Sequence, residues 1–281
     1  MNRLGVFGWP VSQSRSPAMH NAALAALGLE GWHYQRLPVP PGLFEETARA
    51  LGGSGFVGAN VTIPHKQAAL ALADEASAAA AAIGAANALS YRPDGSIAAE
   101  NTDAPGLLEA LGRDVRGLRA LVLGAGGSAR AVVWALLEAG AAEVSIWNRT
   151  FVRAETLAQE LGGRAVARAE PADLLVNCTS VGMKGPNDAD RLELSASQAH
   201  TLNQQGLTFD QLGEYSHVAD LVYRSTPTPL LAAAGEHGAV TTNGLEILVA
   251  QGALSLELWT GRSAPREVMA RAARIEEDTP A

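Results

Sequence analysis

A single cysteine, Cys178, stands among 281 residues, so an intrachain disulfide is excluded and a reducing compartment is expected. Positive charge is also short: 21 Lys and Arg face 29 Asp and Glu, for a net charge of −8. A nonspecific nucleic-acid surface needs clustered cations to neutralise phosphates, so no nucleic-acid partner is expected. Any anionic ligand must be held by local cations and backbone donors, against the mean field. No apolar run reaches the ~18 residues that a bilayer span needs. The first residues, Met1 to Gly8, lack the long apolar stretch of a secretory signal. The expectation is therefore a cytoplasmic protein with no membrane partner. Charged residues are only 18% of the chain and hydrophobic ones 47%, ordinary proportions for a folded protein, so wholesale disorder is excluded too.

What is present is alternation. Leu4–Gly8 reads as a strand, and Ser16-Pro17 opens a helix running to about Leu27 with Gly28 as its stop. Trp32–Val39 reads as extended, Pro41–Leu51 as helical and Gly55–Ile63 as a strand, with a helix from His65-Lys66. The alanine-dense Ala76–Ala86 reads as a closely packed helix. Asn87–Asp103 reads as two strands around the turn Pro93-Asp94-Gly95-Ser96. A second block follows, with strands at Ala120–Leu123, Glu143–Trp147, Asp173–Asn177 and Asp220–Tyr223. Its helices fall at Ser128–Ala139, Arg153–Leu161 and Leu245–Trp259, before a final amphipathic one. Residues 186–217 are polar and resist assignment. The fold class is α/β, with mostly parallel sheets covered on both faces.

Between the strand at Ala120–Leu123 and the helix after it lies Gly124-Ala125-Gly126-Gly127-Ser128-Ala129-Arg130. A pyrophosphate loop needs this context. Glycines allow a tight turn and close phosphate approach, and the helix start offers unpaired N–H groups at the positive end of its dipole. Ala129 stands where a third glycine is common, and a tight turn with no ligand is the competing reading. The next strand decides the cofactor. Where Asp or Glu would meet the ribose hydroxyls of NAD, the sequence has Asn148-Arg149-Thr150, with Arg153 following. Guanidinium groups can grip a 2′-phosphate that a carboxylate would repel, so the expected cofactor is NADP.

Lys66 follows Asn60-Val61-Thr62-Ile63-Pro64-His65, and Asp103 closes Asn101-Thr102-Asp103. A lysine offers a cation and a transferable proton beside a developing alkoxide, and a carboxylate can orient it. Taken singly, Lys66 is an exposed helix-start lysine and Asp103 a helix cap. His20 and His65 read as packing or hydrogen-bonding residues, and no spacing suggests a metal.

These residues together resemble bacterial shikimate dehydrogenases over nearly the whole chain. The resemblance is carried by Phe7-Gly8-Trp9-Pro10 through Ser14-Arg15-Ser16-Pro17, by Ala59–Lys66 and Glu100–Asp103, and by the Gly124–Arg130 loop and Asn148-Arg149-Thr150. It continues through Asn177–Met183, Asp220–Tyr223 and Asn243-Gly244 to Gln251. It implies Lys66 and Asp103 as the catalytic pair. Ser14 and Ser16 would hold the substrate carboxylate, their spacing placing both hydroxyls on one side of an extended segment. Thr62, Asn87, Tyr223 and Gln251 would complete the shikimate site. NADP would be held by Gly124, Ala125, Gly126, Gly127, Ser128 and Ala129, by Asn148, Arg149, Thr150 and Arg153, and by Thr179, Ser180, Val222 and Gly244.

The implied architecture is an N-terminal α/β substrate domain, residues 1–103 with 245–281, plus a Rossmann-type NADP-binding domain, 104–244, with a cleft between them. The implied reaction is reversible NADPH-dependent reduction of 3-dehydroshikimate to shikimate, in aromatic amino-acid biosynthesis. Two rivals remain: an NAD-dependent quinate/shikimate dehydrogenase, and a non-catalytic NADP-binding regulator that would be expected to lack Lys66 or Asp103. Three departures from the family pattern stand out: Ile247 where members often carry Met, the long polar stretch 186–217, and Arg224-Ser225-Thr226 after the Tyr. Whether the chain forms a homodimer is left open.

Overall fold

The computed structural model describes residues 2–183, 202–224 and 226–275. Backbone contacts divide the chain into two units: one runs up to Gly106 and resumes at Leu248, and the other is Leu107–Ile247.

In the first unit, β1 (Asn2–Gly8), β2 (Trp32–Pro38) and β3 (Phe56–Val61) pair in parallel, with β1 in the middle. Their crossovers are α1 (Ser16–Ala26) and α2 (Phe44–Gly52). The chain then enters α3 (Lys66–Leu72), the short β4 (Glu75–Ala76) and α4 (Ala78–Ile83), followed by β5 (Ala88–Tyr91) and β6 (Ile97–Glu100). The strand order is β2-β1-β3-β5-β6-β4. This sheet is mixed, because the tight turn after Tyr91 makes β5 and β6 an antiparallel hairpin, and β5 is also antiparallel to β3. Its core collects Phe7, Phe44, Phe56, Val61, Leu72, Leu89 and Ile97. Trp259 covers β3 at Gly58, where a Cβ would meet the indole at 2.1 Å, so only glycine fits.

The second unit begins inside α5 (Asp103–Leu111). Its strands are β7 (Arg119–Leu123), β8 (Glu143–Trp147), β9 (Arg164–Val166), β10 (Leu174–Asn177), β11 (His217–Asp220) and β12 (Val240–Thr242). All pair in parallel, in the order β12-β11-β10-β7-β8-β9. Helices α6 (Gly127–Glu138), α7 (Phe151–Leu161) and α8 (Pro229–Glu236) make connections. Leu121, Val122 and Leu123 have no meaningful exposure, as a central strand covered on both faces requires. Each such burial contributes about 1.5–3 kcal/mol relative to an exposed side chain. The winding reverses direction between β7 and β10, which makes their carboxyl ends the switch point where doubly wound sheets bind ligands. Helix α9 (Gly244–Thr260) returns the chain to the first unit, and α10 (Arg266–Arg274) follows.

Several expectations needed correction. The strand expected at Asp220–Tyr223 ends at Asp220, because that carboxylate accepts the Val222 N–H and the Thr228 hydroxyl and turns the chain. The helix expected over Ala76–Ala86 is only Ala78–Ile83, capped by the Ser77 hydroxyl and stopped by Gly84 in the left-handed region. Ser14 to Ser16 is not extended, since Arg15 is already helical and Ser14 Oγ accepts the Ser16 N–H. Of the polar stretch 186–217, residues 186–201 lie outside the described residues; a 3₁₀ turn at Asp210–Glu214 and the first residue of β11 belong to the remainder. Ser225 is likewise outside them.

Candidate functional site

Two constellations stand out, one in each unit. In the first, Lys66 is the opening residue of α3 and Asp103 the opening residue of α5. A helix start disfavours a cation and favours an anion. The carboxylate therefore sits comfortably and the ammonium needs a partner. Lys66 Nζ donates to Asp103 Oδ2 at 2.5 Å, with the lysine only 8% exposed. The helix-cap reading of Asp103 fails because Asn101 takes that task, its Oδ1 accepting the N–H groups of Asp103 and Ala104. Relieved of capping, Asp103 presents its other oxygen to Asn87 Nδ2 at 2.8 Å.

Asn87 is buried and fully engaged. Its Nδ2 lies 3.0 Å from Thr102 Oγ1 and 3.2 Å from Gln251 Oε1, and its Oδ1 accepts the Thr102 N–H at 2.7 Å. Gln251, on α9, also donates to the Leu248 carbonyl. α9 comes close because Gly106 of α5 leaves room: a Cβ there would lie 2.7–2.8 Å from the Gln251 Cβ, Cα and N. Four expected residues, Lys66, Asn87, Asp103 and Gln251, thus form one connected group.

Ser14 and Ser16 are both buried, at the entry to α1. Ser14 Oγ accepts from the Ser16 backbone, which leaves its own proton for another acceptor, and Arg36 donates to the Ser14 carbonyl at 2.8 Å. Thr62 is half-buried after β3, and a Cβ on Gly8 would lie 2.6 Å from its Cγ2, which brings the Gly8 and Thr62 turns together. Trp9 and Ile63, neighbours of those turns, are 49% and 52% exposed despite their size. His65 meets the Val39 carbonyl through its Nε2, stacks on Phe44, and is held below the usual histidine range by burial, with the Val39 contact opposing. His20, sealed against Tyr34, is driven down to about 3 by burial and is a neutral packing residue.

In the second unit Gly124 leaves β7 with φ +109°, its N–H bonded to the Trp147 carbonyl. A Cβ there would crowd the Cys178 carbonyl at 3.3 Å, so the loops after β7 and β10 touch. Gly126 precedes α6 with extended backbone and no capping side chain, and no acidic residue lies in the first turn. The helix start, with Ser128 and the buried Ala129, therefore presents its N–H groups to a ligand. After β8, Asn148 donates to the Thr150 carbonyl and so shapes the turn that carries Arg149 and leads into α7, whose first turn carries Arg153. Both arginines are exposed, and neither has an ion pair among the described residues. Arg130 and Arg164 of the same unit are paired, to Glu160 and to Glu143 with Glu170. Two guanidiniums without an ion pair among the described residues, one on the turn after β8 and one in the first turn of α7, suit a phosphate, and this donor set fits NADP.

Thr179 follows β10, where its hydroxyl donates to Asn177 Oδ1 and accepts the Val181 N–H; Ser180 is exposed beside it. Asn177 in turn donates to Asp220 Oδ1 at 2.7 Å. Asp220 is pushed up to about 6 by burial, opposed by its hydroxyl, backbone and amide donors. Gly244 packs on the backbone of Leu221 and Val222, whose carbonyls a Cβ would approach to 2.6 Å. Tyr223 lies half-buried in that loop, in the second unit, and Ile247 is buried in that unit's core. Sequence reading missed the structural weight of Asn60, Thr102, Ser255 and Asp220. Three of these lay inside quoted motifs without an assigned task, and Ser255 carried no signal.

Among the described residues, no group of three or more His, Cys, Asp and Glu is placed to hold a metal, and no helix is long and apolar enough to cross a membrane.

Comparison with known proteins finds family matches in both units. Residues 6–89 match the family model described as shikimate dehydrogenase substrate binding domain, 107–180 that of shikimate / quinate 5-dehydrogenase, and 244–274 that of the shikimate 5'-dehydrogenase C-terminal domain. A shikimate dehydrogenase (NADP(+)) of Thermus thermophilus is 46% identical, over 98% of each chain. A crystal structure of shikimate 5-dehydrogenase from another strain of Thermus thermophilus, in complex with NADP(H) and shikimate, superposes with a TM-score of 0.84 at 41% identity, covering 98% of this chain and 99% of that one. A 5-ketofructose reductase of a Gluconobacter strain has a TM-score of 0.78 at 32% identity, covering 96% and 97%, so the fold alone does not set the substrate.

Proposed function

We infer the activity from one premise: the chain belongs to the shikimate dehydrogenase family. It is an oxidoreductase that reduces 3-dehydroshikimate reversibly to shikimate with NADPH, a step of aromatic amino-acid biosynthesis. The observation that carries this reading is the buried Lys66–Asp103 pair with Asn87 on the carboxylate.

NADPH, when bound, supplies the hydride to the ketone carbon. Lys66 Nζ meets the ketone oxygen, stabilises the charge developing on it and provides its proton. Asp103 keeps the ammonium oriented and balances its charge. Asn87, Gln251, Thr62 and Tyr223 contact the ring hydroxyls, and Ser14 and Ser16 donate to the carboxylate. The Ser14 proton left over after capping supports that role. The Gly124–Ala129 loop cradles the pyrophosphate of NADP, with Thr179, Ser180, Val222 and Gly244 toward the nicotinamide. Asn148, Arg149, Thr150 and Arg153 surround the 2′-phosphate, which the lack of an ion pair at either arginine among the described residues supports.

The substrate domain corresponds to residues 1–103 with 245–281 and the NADP domain to 104–244. The same reading puts the enzyme in the cytoplasm, in keeping with the lone Cys178, and takes a homodimer as its assembly, which sedimentation velocity reads directly. Neither rival gains an observation: the two arginines oppose NAD, and an intact catalytic pair opposes a regulator. The test is shikimate-dependent formation of NADPH by the purified protein, with quinate and NAD in parallel. Absence of turnover with shikimate and NADP would overturn the proposal.

A further inference from the structure

One turn beyond Gln251 on α9, Ser255 is fully buried and carries a hydroxyl with three partners from distant segments or from its own helix. It donates to the Gln251 carbonyl at 3.0 Å, a bond in which only the hydroxyl can be the donor. With its single proton so used, it must accept from the others: from Asn60 Nδ2 of β3 at 2.9 Å and from Thr102 Oγ1 at 3.0 Å. Thr102 then has no proton left for Asn87 and can only accept from Asn87 Nδ2, at 3.0 Å. The Thr102 N–H holds Asn87 Oδ1, and with the Thr102 hydroxyl proton turned to Ser255 the Asn87 NH2 group shares its two protons among Thr102 Oγ1, Asp103 and Gln251. The Asn60 end is anchored in turn, since Tyr34 donates to Asn60 Oδ1 at 2.8 Å and Asn60 Nδ2 also reaches the Asn87 carbonyl at 3.2 Å. The direction of donation therefore runs from Asn60 and Thr102 into Ser255, and from Ser255 into the helix that carries Gln251.

We propose that Ser255 is a positioning residue for the dehydrogenase reaction, which holds Asn87 on the Asp103 carboxylate through Thr102, and Gln251 on Asn87 through the α9 backbone. This rests on the role given above to the Lys66–Asp103 pair. Ser255 is fully buried and acts by orienting the two amides assigned to the substrate above.

The test is steady-state kinetics of shikimate oxidation for wild type, Ser255→Ala, Thr102→Val and the double variant, each with a thermal melt. One buried neutral hydrogen bond contributes about 0.5–1.5 kcal/mol, so Ser255→Ala should lower kcat roughly 2- to 12-fold. Because the loss acts through amides assigned to the substrate, kcat/KM for shikimate should fall at least as far as kcat. The KM for NADP should stay within about twofold. In the Thr102→Val background, removing Ser255 should cost much less, because the path through Thr102 is already broken. A Ser255→Ala enzyme with wild-type kcat and wild-type kcat/KM for shikimate overturns the proposal, whatever its melting temperature. Equal losses with and without Thr102 overturn it also. Lack of shikimate turnover in the wild type, by contrast, overturns the activity itself and is seen before any variant is made.

Discussion

Replacing both Arg149 and Arg153 with Ala is the perturbation whose outcome the structure constrains most tightly. Both side chains are exposed and neither is engaged in an ion pair among the described residues, so their removal leaves no stranded carboxylate there. Surface changes of that kind usually alter stability by about 0.5 kcal/mol or less. Toward a 2′-phosphate each guanidinium contributes a charge-assisted hydrogen bond, about 1.5–3 kcal/mol. Their exposure calls for the lower end, so the pair is worth about 3 kcal/mol and kcat/KM for NADP should fall ~10²-fold. NAD lacks the phosphate, and its kcat/KM should change by less than about threefold on the same arithmetic. Arg164→Ala is the control: that side chain is held by Glu143 and Glu170, so it should affect stability and leave cofactor choice alone. The assay is steady-state kinetics with both cofactors on wild type, double variant and control. Equal proportional losses for NAD and NADP would show that the arginines support the loop or the adenine, and the phosphate assignment would be wrong.

Three further outcomes are expected. Lys66→Ala should lower kcat by ~10²–10³-fold with a small change in shikimate KM, because its contact strengthens as charge develops on oxygen; a near-normal kcat refutes its role. Gly106→Ala gains about 1 kcal/mol of helix propensity but drives a Cβ to within 2.8 Å of the Gln251 backbone, so the melt should fall and shikimate KM rise, and an unchanged KM would mean that α9 yields freely. Asp220 is raised from 3.8 to about 6 in the folded state, so its contribution to stability is full below pH 3.8 and is lost as pH rises through about 6. Denaturant titrations should show Asp220→Asn flattening that part of the stability curve, by on the order of 2–3 kcal/mol for a shift of about two units; parallel curves for wild type and variant would refute the raised pKa.

The Rossmann-type unit was legible because its signals are local. The strand before Gly124 adjoins the glycine turn, and Arg149 and Arg153 lie within a few residues of the end of β8. Lys66 and Asp103 were legible only through the family resemblance, since nothing in spacing reports a contact across 37 residues. Ser255 was invisible for the same reason carried further: its partners Thr102 and Asn60 are 153 and 195 positions away. The misplaced strand at Asp220–Tyr223 has a different cause. Leu221-Val222-Tyr223 has strand propensity, but the Asp220 carboxylate offered the backbone a competing acceptor and closed the strand early. In the alanine run, propensity favoured one long helix, and a single left-handed Gly84 overruled it.

The polar group around Asn87 draws on both ends of the chain, and this orders events on the ribosome. The second unit is one continuous stretch, Leu107–Ile247, and its core has every strand it needs once that stretch has emerged. The first unit has its sheet long before, yet Gln251, Ser255 and the Trp259 that covers Gly58 are made only after the second unit is complete. At roughly 5–20 residues per second, the 195 positions from Asn60 to Ser255 take about 10–40 s to translate. Throughout that interval β3 lacks its indole cover and Asn60 its hydroxyl partner. The nascent chain therefore completes its second unit while the first still waits for the residues that close it.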